Sequence, residues 1–144
     1  MNINSMKVNN FRSFLHLEEI RLGQLATIIG QNDTGKSNIL KAIDLFLQPR
    51  PKPDISDIYD KAPSEENIEI EISFSDLPSI ITIEEGVETT FANENLLDKE
   101  DYLRLKKIFP RSDLAKYSVQ INTYDYSDDI YSSLTMLKEK DLNE

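Results

Sequence analysis

Hydrophobic and polar residues alternate along several stretches of this chain, and each alternation predicts a strand. Met6-Lys7-Val8-Asn9-Asn10-Phe11 and Leu15-His16-Leu17-Glu18-Glu19-Ile20 read as the first two, joined by a turn around Arg12-Ser13. Ile68-Glu69-Ile70-Glu71-Ile72-Ser73-Phe74 alternates most cleanly. It predicts one buried face and one wet face, where solvation accounts for Glu69 and Glu71 better than a paired acid site does. Tyr117-Ser118-Val119-Gln120-Ile121 alternates again, and Ile81–Glu84 with Val87–Phe91 fits a hairpin around Glu85-Gly86. Leu25-Ala26-Thr27-Ile28-Ile29 is instead an unbroken apolar run, the mark of a strand buried on both faces.

Helical patterns are fewer. From Asn38 to Leu47 apolar residues dominate, and Asn38, Lys41, Asp44 and Gln48 form a narrow polar stripe. A helix so apolar is expected to be packed on most sides. Pro49, Pro51 and Pro53 stop it and open a segment, 49–66, rich in proline, serine and acids, which reads as a surface excursion. Asp54, Asp57 and Asp60 recur there at every third position; without a turn glycine to fix a cation loop, they are expected to be solvated. Lys99–Phe109 reads as a second helix, with Asp98 as N-cap and Pro110 as its stop. Beyond Asp128 the pattern is ambiguous, although Leu134, Leu137, Lys138 and Leu142 permit a helix.

The chemistry concentrates between the apolar run and the first helix. Gly30-Gln31-Asn32-Asp33-Thr34-Gly35-Lys36-Ser37 matches G-x-x-x-x-G-K-[ST], the phosphate-binding loop, in the strand–loop–helix setting that its mechanism requires. The glycines let the backbone curl so that successive N–H groups point at phosphate oxygens, and the helix behind adds its positive end. Lys36 is then placed for the β- and γ-phosphates of ATP, and the Ser37 hydroxyl for Mg²⁺. The plain alternative is a glycine turn that happens to end in Lys-Ser. Only four glycines occur in the chain, and two of them are the motif's own, which weighs against chance.

Composition narrows the rest. The chain has 144 residues, 39% hydrophobic and 29% charged, enough for one domain or a part of one. It lacks cysteine, which excludes thiolate metal sites and disulfides, and its single histidine, His16, argues against histidine-based metal or triad chemistry. No signal-peptide pattern or membrane-length apolar stretch is present, so a cytoplasmic protein without membrane contact is expected. A net charge of −10 argues against a clamp on a nucleic-acid backbone. The local cations Arg104, Lys106, Lys107, Arg111 and Lys116 read as charges at the end of the second helix rather than as a DNA patch.

A hydrolysing P-loop enzyme also needs an acid at the end of a second buried strand. Ile80-Ile81-Thr82-Ile83-Glu84-Glu85 is the nearest imitation, and Gly86 favours a turn there instead. GTPase motifs are missing. The P-loop strand comes third rather than first, unlike the order usual in small kinases and GTPases. The expected class is α/β: an incomplete P-loop NTPase with an antiparallel β layer. Its parts are a P-loop lobe at 1–48, the excursion at 49–66 and a β-rich and helical remainder at 67–144.

Asn10-Phe11-Arg12-Ser13-Phe14, the flanking strands and Gly30-Gln31-Asn32-Asp33-Thr34-Gly35-Lys36-Ser37-Asn38 together resemble the N-terminus of the SMC-like ABC ATPases. The Asn32-Asp33 pair, Ser37-Asn38 and Ile72-Ser73-Phe74-Ser75-Asp76 resemble most the OLD family of ATP-dependent endonucleases, which join such an ATPase to a C-terminal Toprim nuclease. The resemblance is strong over 6–48 and general beyond. It implies that Gly30, Gln31, Asn32, Asp33, Thr34, Gly35, Lys36, Ser37, Asn38 and Arg12 bind ATP, with Arg12 near the base or phosphates and Ser37 on Mg²⁺. It also implies a second ATPase head as partner, DNA contact through the parent protein, and a role that extends to phage defence. Signature, Walker B and nuclease motifs are not found, so the chain alone is expected neither to turn over ATP nor to cut DNA. Two other readings stay open: an SMC- or repair-type ATPase without a nuclease, and a non-hydrolysing nucleotide-sensing module.

Overall fold

The computed structural model describes residues 1–23, 26, 35–84 and 86–123. The expected strand at 25–29, apart from Ala26, the loop residues Gly30–Thr34 and the helix permitted beyond 128 lie outside the described residues. Among the described residues, seven strands and one α-helix appear in the order β1 (Asn2–Phe11), β2 (Phe14–Arg21), α1 (Lys36–Leu47), β3 (Ile68–Ser75), β4 (Ile81–Glu84), β5 (Val87–Thr89), β6 (Leu103–Phe109) and β7 (Ser118–Asn122). Five strands form one antiparallel sheet in the order β2-β1-β3-β6-β7, while β4 and β5 pair apart from it as the expected hairpin.

Strand alternation gives this sheet two unlike faces. Met6 and Val8 on β1 stand opposite Ile72 and Ile70 on β3, which stand opposite Leu105 and Lys107 on β6. This apolar face holds the core, with Val8, Ile70, Ile72 and Phe109 wholly buried. Each such side chain contributes about 1.5–3 kcal/mol by leaving water. Helix α1 adds Ile39, Ala42, Leu45 and Phe46 to the core, and the Phe46 and Phe74 rings meet with centroids 6.3 Å apart. The expectation that α1 is packed on most sides is too strong, since Leu40 and Leu47 are exposed.

Residues 99–109 do not form a helix. Leu103–Phe109 is β6, paired along its length with β3 and β7. Leu103, Leu105 and Phe109 keep the two-residue period of a strand, but Lys107 interrupts it on the apolar face. Its stem crosses that face and its Nζ donates to the carbonyls of Phe46 (2.5 Å) and Gln48 (3.2 Å), over the rings of Phe46 and Tyr117. Lys107 therefore closes the C-terminus of α1, where carbonyls lack intrahelical donors and the dipole favours a cation. Burial pushes its ammonium pKa down. Asp98 keeps part of its expected role: its Oδ1 accepts from the N–H groups of Glu100 and Tyr102 and holds a turn instead of a helix.

The second face of the sheet is charged, yet it is not simply wet. Glu71 is 8% exposed, which corrects the expectation of solvation. Arg104 on β6, equally buried, lies 3.3 Å from Glu71, 2.7 Å from Glu19 and 2.9 Å from Asp98. Hydrogen bonds from Ser5 and then Arg104 hold the Glu19 carboxyl below its ordinary pKa. Burial would raise Asp98, but Arg104 and two backbone N–H groups outweigh it and lower the pKa. Burial would lower Arg104 too, and Glu19 and Asp98 instead hold its pKa up. Glu69 remains half-buried and meets Lys106 at 3.4 Å. The other cations of the basic stretch are likewise engaged, Arg111 with the carbonyls of Ala62 and Pro63 and Lys116 with Asp113.

Candidate functional site

Among the described residues the P-loop is represented by its end. Gly35 is the N-cap of α1, with φ 87° and ψ 7°, and Lys36, Ser37 and Asn38 take the first helical positions. This left-handed backbone suits glycine. Space demands glycine as well: a Cβ here would lie 2.6 Å from Ser13 Oγ and 2.8 Å from Phe14 Cζ. The β1–β2 turn thus sits directly against the start of the helix, and Asn38 Nδ2 donates to Ser13 Oγ at 2.9 Å.

Among the described residues no side chain caps the entrance to α1, and its first turn contains no acid. A helix N-terminus has N–H groups without intrahelical acceptors and a partial positive charge. With Lys36 half-buried and Ser37 exposed at this end, an anionic phosphate fits by both charge and hydrogen bonding. No group of three or more His, Asp or Glu among the described residues is placed to hold a metal ion.

Arg12 precedes Ser13 and is held by the excursion. Its Nη2 lies 2.7 Å from Asp57 Oδ1, and its backbone N–H donates to the Asp57 carbonyl at 2.7 Å. Asp57 lies in a short 3-10 turn, Ile55–Asp57, that a capping box closes: Asp54 Oδ1 accepts from Ser56 N, and Asp57 Oδ2 accepts from Asp54 N. The hydrogen bond from Ser56 keeps the exposed Asp54 carboxyl below its ordinary pKa. Asp57 is only 8% exposed, which corrects the expectation that all three spaced aspartates are solvated; Asp54 and Asp60 are exposed. The excursion is accordingly not all surface, for Pro51, Pro53 and Ile58 are buried too.

Ser13, Phe14 and Asp57 are the site residues that sequence reasoning missed. Asp-x-x-Asp after a proline is itself a capping-box pattern, and it was the available signal for a folded turn at 54–57. Nothing in sequence order points from there to Arg12.

The end of the motif at the start of α1 is what a P-loop protein places there. All of residues 1–144 match the AAA ATPase domain family, and the chain belongs to it. No curated protein matches the chain. A structure solved in work on the structural biochemistry of ATP-driven dimerization and DNA stimulated activation of SMC ATPases is similar in fold. Its TM-score is 0.53 and its identity 17%, over 100% of this chain and 85% of that one. Family membership implies ATP binding, ordinarily with Mg²⁺. No helix among the described residues is long and apolar enough to cross a membrane.

Proposed function

We propose that this chain is the ATP-binding portion of an SMC-like ABC ATPase that couples nucleotide binding and hydrolysis to DNA processing, in an OLD-like endonuclease with a role in phage defence. The observation that carries the nucleotide part is the uncapped, acid-free start of α1, with Gly35-Lys36-Ser37 on it and the β1–β2 turn packed against it. Gly30, Gln31, Asn32, Asp33 and Thr34 complete the motif in sequence and would supply backbone donors to the phosphates. Lys36 would neutralise the terminal phosphates, Arg12 would add a second cation beside them, and Ser37 would hold the Mg²⁺. That ion, when bound, neutralises charge on the phosphate oxygens. The remaining site residue, Asn38, ties the start of α1 to the β1–β2 turn through Ser13.

In this reading 1–48 is the P-loop lobe, 49–66 a strap across its edge and 67–144 the β-rich remainder of an ABC-type head in the cytoplasm. Support for a second head comes from the similar structure, which concerns ATP-driven dimerization of SMC ATPases. The same likeness favours the second reading, an SMC- or repair-type ATPase without a nuclease.

Two measurements test this. The purified 144-residue chain should bind ATP without sustained phosphate release or DNA cleavage; Lys36-dependent turnover by it would contradict the division of labour. Light scattering on the full-length gene product, with and without ATP, should show a dimer or larger assembly. A monomer that is fully active in both conditions would remove the two-headed model.

A further inference from the structure

Three buried polar atoms lack a hydrogen-bond partner among the described residues: Asn10 Oδ1, Arg12 Nε and Asp57 Oδ1. All three lie where the strap meets the end of β1. Two residues there, Asn10 (φ 54°) and Arg12 (φ 52°), adopt the left-handed backbone that disfavours side chains, and Phe11 stands between them. The strap fixes both. Tyr59 N donates to the Asn10 carbonyl at 3.2 Å, Arg12 N donates to the Asp57 carbonyl, and Phe11 bridges to Ile58.

Asp57 is the centre of this arrangement because each of its oxygens has a separate task. Oδ2 closes the capping box, the main-chain carbonyl sets the Arg12 backbone, and Oδ1 faces the guanidinium. The Arg12–Asp57 contact is short but badly angled, so that it is an ion pair without a hydrogen bond at Asp57 Oδ1. Arg12 is also about a third exposed and retains donors beyond the one turned to Asp57. One residue further along the chain, Ser13 touches Gly35 and Asn38.

We propose that Asp57 is a positioning residue for the nucleotide site: it restrains the guanidinium of Arg12, which lies in the turn packed against the P-loop end of α1, so that Arg12 meets a nucleotide phosphate already oriented. The inference rests on the nucleotide reading above. An imperfect pair suits this task. It restrains the side chain and lowers the entropic cost of binding, yet it leaves hydrogen-bonding capacity for a phosphate.

MgATP affinity of the full chain, measured by calorimetric titration, tests the assignment in a double-mutant cycle of Arg12→Ala and Asp57→Asn. Asn at 57 keeps an acceptor for the Asp54 N–H and loses the charge. The expected result is about five- to tenfold weaker binding for Asp57→Asn, with the double variant no weaker than Arg12→Ala alone. Unchanged affinity in Asp57→Asn, or losses that multiply in the double variant, would overturn the proposal. Thermal stability separates a purely structural role: Asp54→Ala also opens the capping box, so a structural role would lower the melting temperature of both variants and leave MgATP affinity intact. Should Asp57→Asn fail to fold, Asp57→Glu replaces it in the cycle. It must then bind more weakly than wild type, with that loss absent in the Arg12→Ala background; independent losses count against the proposal. Lys36→Ala identifies the other failure, because wild-type affinity in that variant would remove the nucleotide site itself.

Discussion

At its C-terminal end α1 is closed by Lys107, whose ammonium donates to the Phe46 and Gln48 carbonyls while lying over two aromatic rings. At its N-terminal end Gly35 offers no side chain, no acid fills the first turn, and the neighbouring β1–β2 turn packs so tightly that a Cβ would not fit. Both ends of any helix carry unsatisfied backbone groups and half a unit of charge. One end of this helix is satisfied from within the fold. At the other, no described side chain caps the helix. The difference separates a terminus closed by a distant lysine from one that carries Gly35-Lys36-Ser37, on a single element of 12 residues.

The comparison can be broken most severely from beneath. Arg104→Ala would leave Glu19, Glu71 and Asp98 facing one another on the covered side of the sheet, at a cost of about 3–5 kcal/mol. Chemical denaturation should show that loss, while added MgATP should still stabilise whatever remains folded. Loss of the nucleotide effect in a folded Arg104→Ala protein would mean that the two faces are not separable.

Gly35→Ala attacks the N-terminal end. It combines a disfavoured left-handed backbone with overlap on Ser13 and Phe14, for a cost of roughly 2–4 kcal/mol. Nucleotide binding should fall with it, and a variant of wild-type stability and affinity would show that the close approach of the turn is not needed. Lys107→Met attacks the structural end. Removing a charged donor from the last carbonyls should cost about 1–2 kcal/mol in denaturant and leave MgATP affinity unchanged. An affinity change would tie the two ends together.

A smaller effect follows from pH. Glu19 and Asp98 have folded-state pKa values below their ordinary ones, so the unfolded chain binds protons first as pH falls. Their stabilisation is complete above the ordinary carboxylate range, about pH 4–4.5, and is lost as pH drops through the lower folded values. The denaturation midpoint should therefore be flat in this respect near neutrality and decline below about pH 4.5; a midpoint that rises on acidification would contradict the Arg104 network.

Strands whose two faces meet different surroundings were legible in the sequence. β1, β2, β3, β7 and the β4–β5 hairpin lie where alternation or a turn glycine indicates them, and α1 begins at the motif itself. β6 was not legible, because Lys107 sits on its apolar face to serve a helix some sixty positions earlier, and that one cation disguises the two-residue period. Glu71 and Asp57 were misread for a related reason. Their partners, Arg104 and Arg12, are distant in sequence, and a carboxylate is buried only where such a partner meets it. Within the site, the motif was read residue by residue, whereas Ser13, Phe14 and Asp57 entered through tertiary contacts alone.

The central claim is that the open end of α1 receives the phosphates of ATP. Its most direct test is the stability of the chain with and without MgATP, in wild type and in Lys36→Ala. Nucleotide at about a hundredfold excess over its dissociation constant should add roughly 2.7 kcal/mol to the wild type, and Lys36→Ala should lose most of that gain. Equal stabilisation of the two proteins, or none in the wild type at millimolar MgATP, would contradict the account.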